Sequence, residues 1–431
     1  MERYLAGGFS RLHMPGHKGR GMDFLGEAVR YDLTEVTGLD SLYHPTGAIA
    51  GTEAAYTRLF GTAGSLLSAG GSTLCIQAML ALAAGPGERI LASRGAHTAA
   101  VSAMALLDLR PVWLYPPRHA GGLAEGVTPG QVERALAAQP DIRAVYITSP
   151  TYYGVLSDIA GIAAVCRARG VPLLVDNAHG PHLRFLPVSE HPADLGADLC
   201  CDSLHKTLPV LTGGALLHVK NPAYLARAKE RMALFGSTSP SYLILLSADA
   251  ALDYLAGPAG EEIARVAAAL SRLRELAGAR GLAPTAERMD PLRLTLAVPA
   301  RGGREAFAAQ LARHRIEPEY LDDGFCVLMA GGGNTPEDFS RIEALLREAE
   351  PGEHRPPAAL PRPARAVMTP REAVFAPREP VAPEAAAGRV SSGTVTPCPP
   401  GIPLLVPGER IDADFIPVLK NCGISPLYVV K

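Results

Sequence analysis

The chain has 431 residues, 48% of them hydrophobic, enough to bury a large core in two or three domains. Lys and Arg number 41 against 43 Asp and Glu, a net charge of -2, so no overall basic field marks a nucleic-acid binder. No apolar run reaches the ~18 residues of a membrane helix, and Met1-Glu2-Arg3 leads into no signal-peptide core, so a soluble cytoplasmic protein is expected.

In chain order, His13 and His17 come first. Their spacing would suit a metal pair on a helix, but Pro15-Gly16 breaks any helix between them and no metal site is expected. Gly70-Gly71-Ser72-Thr73 leads into the apolar helical pattern 74–84. Such a start offers backbone N–H groups and a helix dipole to a phosphate, with a plain helix cap as the simpler reading. A strand over 89–92 precedes Arg94-Gly95-Ala96-His97, where an imidazole at a helix start can cap the helix or stack on a ring. Strands over 111–115 and 143–148 alternate with helices over 129–138 and 159–169, which predicts right-handed crossovers and a parallel sheet. Ser149-Pro150-Thr151-Tyr152-Tyr153-Gly154 fills the loop after a strand.

The apolar run 171–175 then ends in Asp176-Asn177-Ala178-His179-Gly180. The run 197–201 ends in Asp202-Ser203-Leu204-His205-Lys206, followed by the tight Thr212-Gly213-Gly214. In a parallel sheet the carboxyl ends of the strands gather at one crevice, so Asp176 and Lys206 should face the same site. Desolvation at the end of a buried strand disfavours the ammonium form of a lysine and makes its amine a nucleophile. Singly, Lys206 reads as a surface cation and Asp176 as a helix cap or metal carboxylate. Together they describe pyridoxal phosphate: an acid to keep a pyridine nitrogen protonated and an amine to condense with an aldehyde.

Beyond this point a strand over 214–219, a helix over 222–234 and the loop Gly236-Ser237-Thr238-Ser239-Pro240-Ser241-Tyr242 are expected. From about residue 257 a helix (261–278), a strand (292–298), a helix (305–314) and a strand (325–329) read as a smaller α+β domain. Nine prolines between 351 and 383 predict an extended linker rather than a helix. The seven cysteines, with no Cys-x-x-Cys spacing, read as reduced core residues.

The Ser203-Leu204-His205-Lys206 and Asp176-Asn177-Ala178-His179-Gly180 motifs, the opening 13–19 and the closing 399–409 resemble the ornithine/lysine/arginine decarboxylases of aspartate-aminotransferase fold, over about residues 10–411. The resemblance implies an α/β, fold type I pyridoxal-phosphate-dependent enzyme with a mainly parallel sheet. Its expected parts are a large domain (1–256), a small α+β domain (257–350), a Pro-rich linker (351–383) and a C-terminal decarboxylase segment (384–431). It further implies that Lys206 carries the cofactor, Asp176 holds its ring nitrogen, His97 stacks on the ring and His179 orients it. Ser72 and Thr73 would hold the phosphate, Ser203 and His205 would border it, and Ser237 and Thr238 would reach the phosphate of a neighbouring subunit. A homodimer or higher even oligomer with shared sites follows. The implied reaction is decarboxylation of a basic amino acid, arginine or lysine ahead of ornithine, in polyamine biosynthesis. Two departures stand out: Thr98-Ala99 where the family usually has Lys-Ser, and Asn177 where it usually has Glu. An aminotransferase or aldolase on the same fold, with Arg293 retaining a substrate carboxylate, and a non-catalytic regulatory protein are the alternatives.

Overall fold

The computed structural model describes residues 1–7, 15, 18, 23–116, 123–284, 288–349, 363–396 and 402–431. Seven strands, β1 (Gly64–Ser68), β2 (Arg89–Ser93), β3 (Arg110–Leu114), β4 (Ile142–Thr148), β5 (Leu173–Asp176), β6 (Leu199–Asp202) and β7 (Ala215–Val219), form one sheet in the order β1-β7-β6-β5-β4-β2-β3. β2 runs parallel to β3 and β4, and β5 parallel to β6, whereas β7 is antiparallel to both β6 and β1. A mostly parallel sheet with helical connections is the α/β architecture that the alternating pattern predicts.

The chain divides into two compact units, Met1–Leu82 with Leu174–Glu262, and Ala83–Leu173 with Ile263–Lys431. In the first unit β5, β6 and β7 are buried along their whole length, which is why they read as continuous apolar runs rather than alternating ones. β5 ends at Asp176 and β6 at Asp202, and those two ends carry the sequence motifs. In the second unit local chemistry sets the helix limits. Thr128 forms a capping box with Gln131 ahead of Pro129–Ala138, and Asp158 accepts from Gly161 N to start Ile159–Arg169, which stops at Gly170 with φ +64°. A second sheet, β8 (Arg293–Ala297), β9 (Tyr320–Leu321) and β10 (Phe325–Met329), is antiparallel in the order β8-β10-β9. The C-terminal segment pairs β11 (Arg378–Val381) with β12 (Leu427–Val430) over its own apolar cluster, including Leu405, Ile411, Phe415, Leu419 and Val429.

Several local expectations change. The described part of the Pro-rich stretch is ordered: Pro370–Phe375 is a helix and Arg378–Val381 a strand. Pro370 sits at the first helical position, where its missing N–H costs nothing, and Thr369 and Glu372 complete a capping box, so this proline starts a helix instead of preventing one. The expected 222–234 helix is a short 3-10 turn, Pro222–Tyr224, followed by Leu225–Ala233. Cys75, Cys166, Cys200, Cys201 and Cys326 are buried as expected, but Cys422 is exposed. His13, His17, Cys398, residues 351–362 and part of the closing motif lie outside the described residues.

Candidate active site

Lys206 belongs to the single turn Leu204–Thr207 that follows β6, and its Nζ lies 2.8 Å from His179 Nε2. Both side chains are half-buried. His179 comes from the segment after β5, so the contact joins the two motifs that sequence reading placed at one crevice. An imidazole at this distance can exchange a proton with the amine.

Asp176 ends β5 at 2% exposure, opposite Cys201 in register, and its Oδ1 accepts from Ala178 N at 3.1 Å. The Cys201 thiol lies 3.8 Å from the same oxygen, and burial pushes that thiol well up, keeping it protonated. Asp176 is thus held at the strand end, one residue before Asn177.

Two more contacts lock these ends together. Asn177 N donates to Cys201 O at 3.0 Å, and Asn177 Nδ2 donates to Asp202 Oδ1 at 2.7 Å. Asp202, fully buried, also accepts from His191 Nε2 and His218 Nε2, each at 3.0 Å from Oδ2. Burial alone would raise the Asp202 carboxyl, but the electrostatic pull and hydrogen bonds of His191 and His218 outweigh it and hold the group far below the usual carboxylate range. Sequence reading passed over this cluster. The histidines are isolated in sequence, and nothing in their spacing signals that β7 and the 191–195 turn bring them together.

Ser72 lies at the N-terminus of the thirteen-residue helix Gly71–Ala83, where Gly71 has φ +66°. Ser203 Oγ donates to Ser72 Oγ at 2.9 Å, tying this helix start to the Lys206 turn. Gly71 N donates to Gly213 O at 2.8 Å, and Ser68 Oγ braces the loop through Gly70 N and Gly71 O. Thr73 is exposed. His205 turns back on its own loop, donating from Nδ1 to Gly214 O at 3.1 Å. Ser237 and Thr238 are exposed, and Ser237 Oγ bonds within its own loop to Ser239 N at 3.1 Å. The structure therefore brings Ser72, Ser203, Lys206 and His179 into one chain of contacts and leaves Ser237 and Thr238 apart from it.

In the second unit His97 is exposed and caps Thr98–Leu107, its Nδ1 accepting from Ala99 N at 3.2 Å. Three residues earlier, Arg94 donates to Pro403 O and Leu404 O and pairs with the buried Glu409 at 3.1 Å. The closing motif thus serves as the seat of a nearly buried ion pair. Arg293, 1% exposed, donates to Thr151 O and Tyr152 O at 3.0 Å each and lies 3.7 Å from Asp290. Its guanidinium holds the 149–154 loop, so it does not suit the carboxylate clamp an aminotransferase would require.

Among the described residues no helix is long and apolar enough to cross a membrane. In sequence, the chain is 32% identical over 450 residues to an arginine decarboxylase of Halalkalibacterium halodurans, covering 97% of this chain and 91% of that one. In fold it is similar to the constitutive lysine decarboxylase of E. coli, with a TM-score of 0.81 and 21% identity over 100% of this chain and 81% of the other. A solved structure of SPT with PLP aligns at a TM-score of 0.57 and 14% identity, over 69% of this chain and 75% of that one. The major domain of the Orn/Lys/Arg decarboxylases matches residues 6–292 and their C-terminal domain matches residues 357–421, so the chain belongs to the Orn/Lys/Arg decarboxylase family.

Proposed function

We propose that the protein decarboxylates a basic amino acid, arginine first, with pyridoxal phosphate as cofactor. The observation that carries this reading is the Lys206 Nζ to His179 Nε2 contact beside the buried Asp176, within a chain of this family. Arginine leads because the near-full-length relative above is named for arginine.

The donor set fits the cofactor. Lys206 offers an amine beside an imidazole, Asp176 a buried carboxylate for a ring nitrogen, and Ser72 with the N-terminus of Gly71–Ala83 a seat for a phosphate. When bound, pyridoxal phosphate supplies an electron-accepting ring for loss of a substrate carboxylate as carbon dioxide. Lys206 would hold the cofactor through its amine, and His179, 2.8 Å from Nζ, would take or return the proton there. Asp176 would hold a proton on the ring nitrogen and so keep the electron demand high. Ser203, through Ser72, fixes the helix start that would receive the phosphate. His97, whose Nδ1 is engaged by Ala99 N, is the residue that the family resemblance would have stack on the ring. Thr73 and His205 complete the border of the site.

The proposed organisation keeps a large domain over 1–256 and a small domain over 257–350, while the helix Pro370–Phe375 and the strand Arg378–Val381 join the C-terminal segment expected over 384–431 instead of forming a linker to it. The exposed loop 237–241 completes the phosphate seat of a second subunit, giving a cytoplasmic homodimer or higher even oligomer that feeds polyamine biosynthesis. Incubating the protein with pyridoxal phosphate and arginine, lysine or ornithine, and identifying products by mass, tests the reading. Amine with carbon dioxide is expected, whereas a keto acid without carbon dioxide would replace it by the aminotransferase alternative.

A further inference from the structure

Asp202 stands one residue beyond the last Cα pair of β5 and β6, Asp176 with Cys201. Asn177 stands at the matching position after β5. Their 2.7 Å hydrogen bond is therefore a side-chain rung that extends the ladder past its backbone end, between the two segments that carry His179 and Lys206. All four members of the cluster, Asn177, Asp202, His191 and His218, are fully buried.

The cluster's tautomers follow from its contacts. His191 Nδ1 accepts from Ala193 N at 3.3 Å, so its Nε2 carries the proton and donates to Asp202. A metal on that Nε2 would need the lone pair the proton occupies, and metal-bound imidazoles donate from their other nitrogen rather than accept there. His218 Nδ1 lies 2.8 Å from Ser65 Oγ, and burial holds its cationic form down against the pull of Asp202. The cluster is thus a fixed carboxylate with N–H donors on three sides.

This geometry also accounts for the departure at 177. A glutamate there would bring a second carboxylate into the same fully buried cluster as Asp202, and two such neighbours cannot both stay ionised. An amide at 177 with an acid at 202 leaves one buried anion and one donor to it. The amide accepts a cost for this role, since its buried Oδ1 has no hydrogen-bond partner among the described residues.

We propose that Asp202 is a positioning residue for the cofactor site. It acts through Asn177 and the Lys206 turn, and residues 177 and 202 form a matched amide and acid pair that can be exchanged but not broken. The inference rests on the decarboxylase reading above. Asp202 touches neither cofactor nor substrate; it sets the spacing between the segment with Asp176 and His179 and the turn with Ser203 and Lys206.

The test is a double-mutant cycle with Asn177→Glu, Asp202→Asn and both together, read by pyridoxal phosphate affinity, by the absorption maximum of bound cofactor, and by urea unfolding of the cofactor-free protein. Each single variant should bind the cofactor about tenfold or more weakly, the scale of losing a partner that orients a ligand group, and should shift the absorption maximum. The double variant should recover most of both. Unfolding of the cofactor-free variants identifies any that fail to fold and is not itself the criterion. If the singles differ from wild type in unfolding alone, with affinity and absorption unchanged, or if the double variant is as impaired as the worse single, the proposal is overturned. A wild-type protein that binds no pyridoxal phosphate would overturn the functional reading and this inference together.

Discussion

The ends of β5 and β6 and the loop 236–241 were both expected to hold the cofactor, yet they are built differently. At the strand ends every polar side chain from Asp176 to Ser203 has a protein contact, and Asp176, Asn177, Asp202 and Ser203 are all at most 2% exposed. In the loop, Ser237 and Thr238 face solvent and the Ser237 hydroxyl bonds within its own turn. The first region is organised by this chain alone, at the cost of ordering it during folding. The second acquires a role when something arrives from outside, which on the reading above is the phosphate of a neighbouring subunit. On that reading the chemistry is held rigidly within one chain and a second subunit completes it.

The comparison breaks most severely at Lys206. Lys206→Ala removes the attachment point and should abolish turnover and retention of the cofactor after dialysis, as followed by absorbance. Next is Asp176→Asn, which takes away the charge that keeps the ring nitrogen protonated and should lower kcat on the order of 10² or more. Unchanged decarboxylation by that variant would contradict the assigned role.

A pH test probes the anchored region without any ligand. The Asp202 carboxyl is lowered in the folded protein, so its contribution to stability is fully present above the unfolded carboxylate value of ~3.9 and is lost as pH falls from there toward the folded one. Urea unfolding of wild type and Asp202→Asn should therefore differ by a constant amount from pH 7 down to about 4, and the gap should begin to narrow only as the pH falls below ~3.9 toward 2. A gap that stays constant below ~3.9 as well, or one that already closes between pH 7 and 5, would mean that Asp202 is not the anion described.

The smallest effects compare the two serine sites directly. Ser72→Ala should weaken cofactor affinity about tenfold, as expected for losing a bond to a charged group, while Ser237→Ala should cost about two- to threefold. If the loop serves a second subunit, its effect should vanish below the concentration at which sedimentation shows dissociation. A fully active monomer would remove the shared-site reading altogether.

Much of this was legible in the chain. The buried strands β5 and β6 are apolar runs that end in charged motifs, and burial on both faces makes such runs conspicuous. The Lys206 and His179 contact follows from two motifs meeting at adjacent strand ends. His191 and His218 were not legible, because each is a lone histidine whose meaning depends on the antiparallel placement of β7 beside β6. Arg293 was misread for a similar reason: its carbonyl partners at Thr151 and Tyr152 are distant in sequence, and a buried arginine satisfied by backbone oxygens looks in sequence like one awaiting a substrate. The proline-dense segment failed on a positional point, since Pro370 opens a helix that a count of prolines forbids.

The central claim is that Lys206 is the residue that carries the cofactor. Reducing the protein loaded with pyridoxal phosphate with borohydride and mapping its peptides by mass tests this most directly. The account predicts the cofactor mass on the peptide containing Lys206 and on no other. A label on a different lysine, or no label on a protein that still decarboxylates arginine, would contradict it.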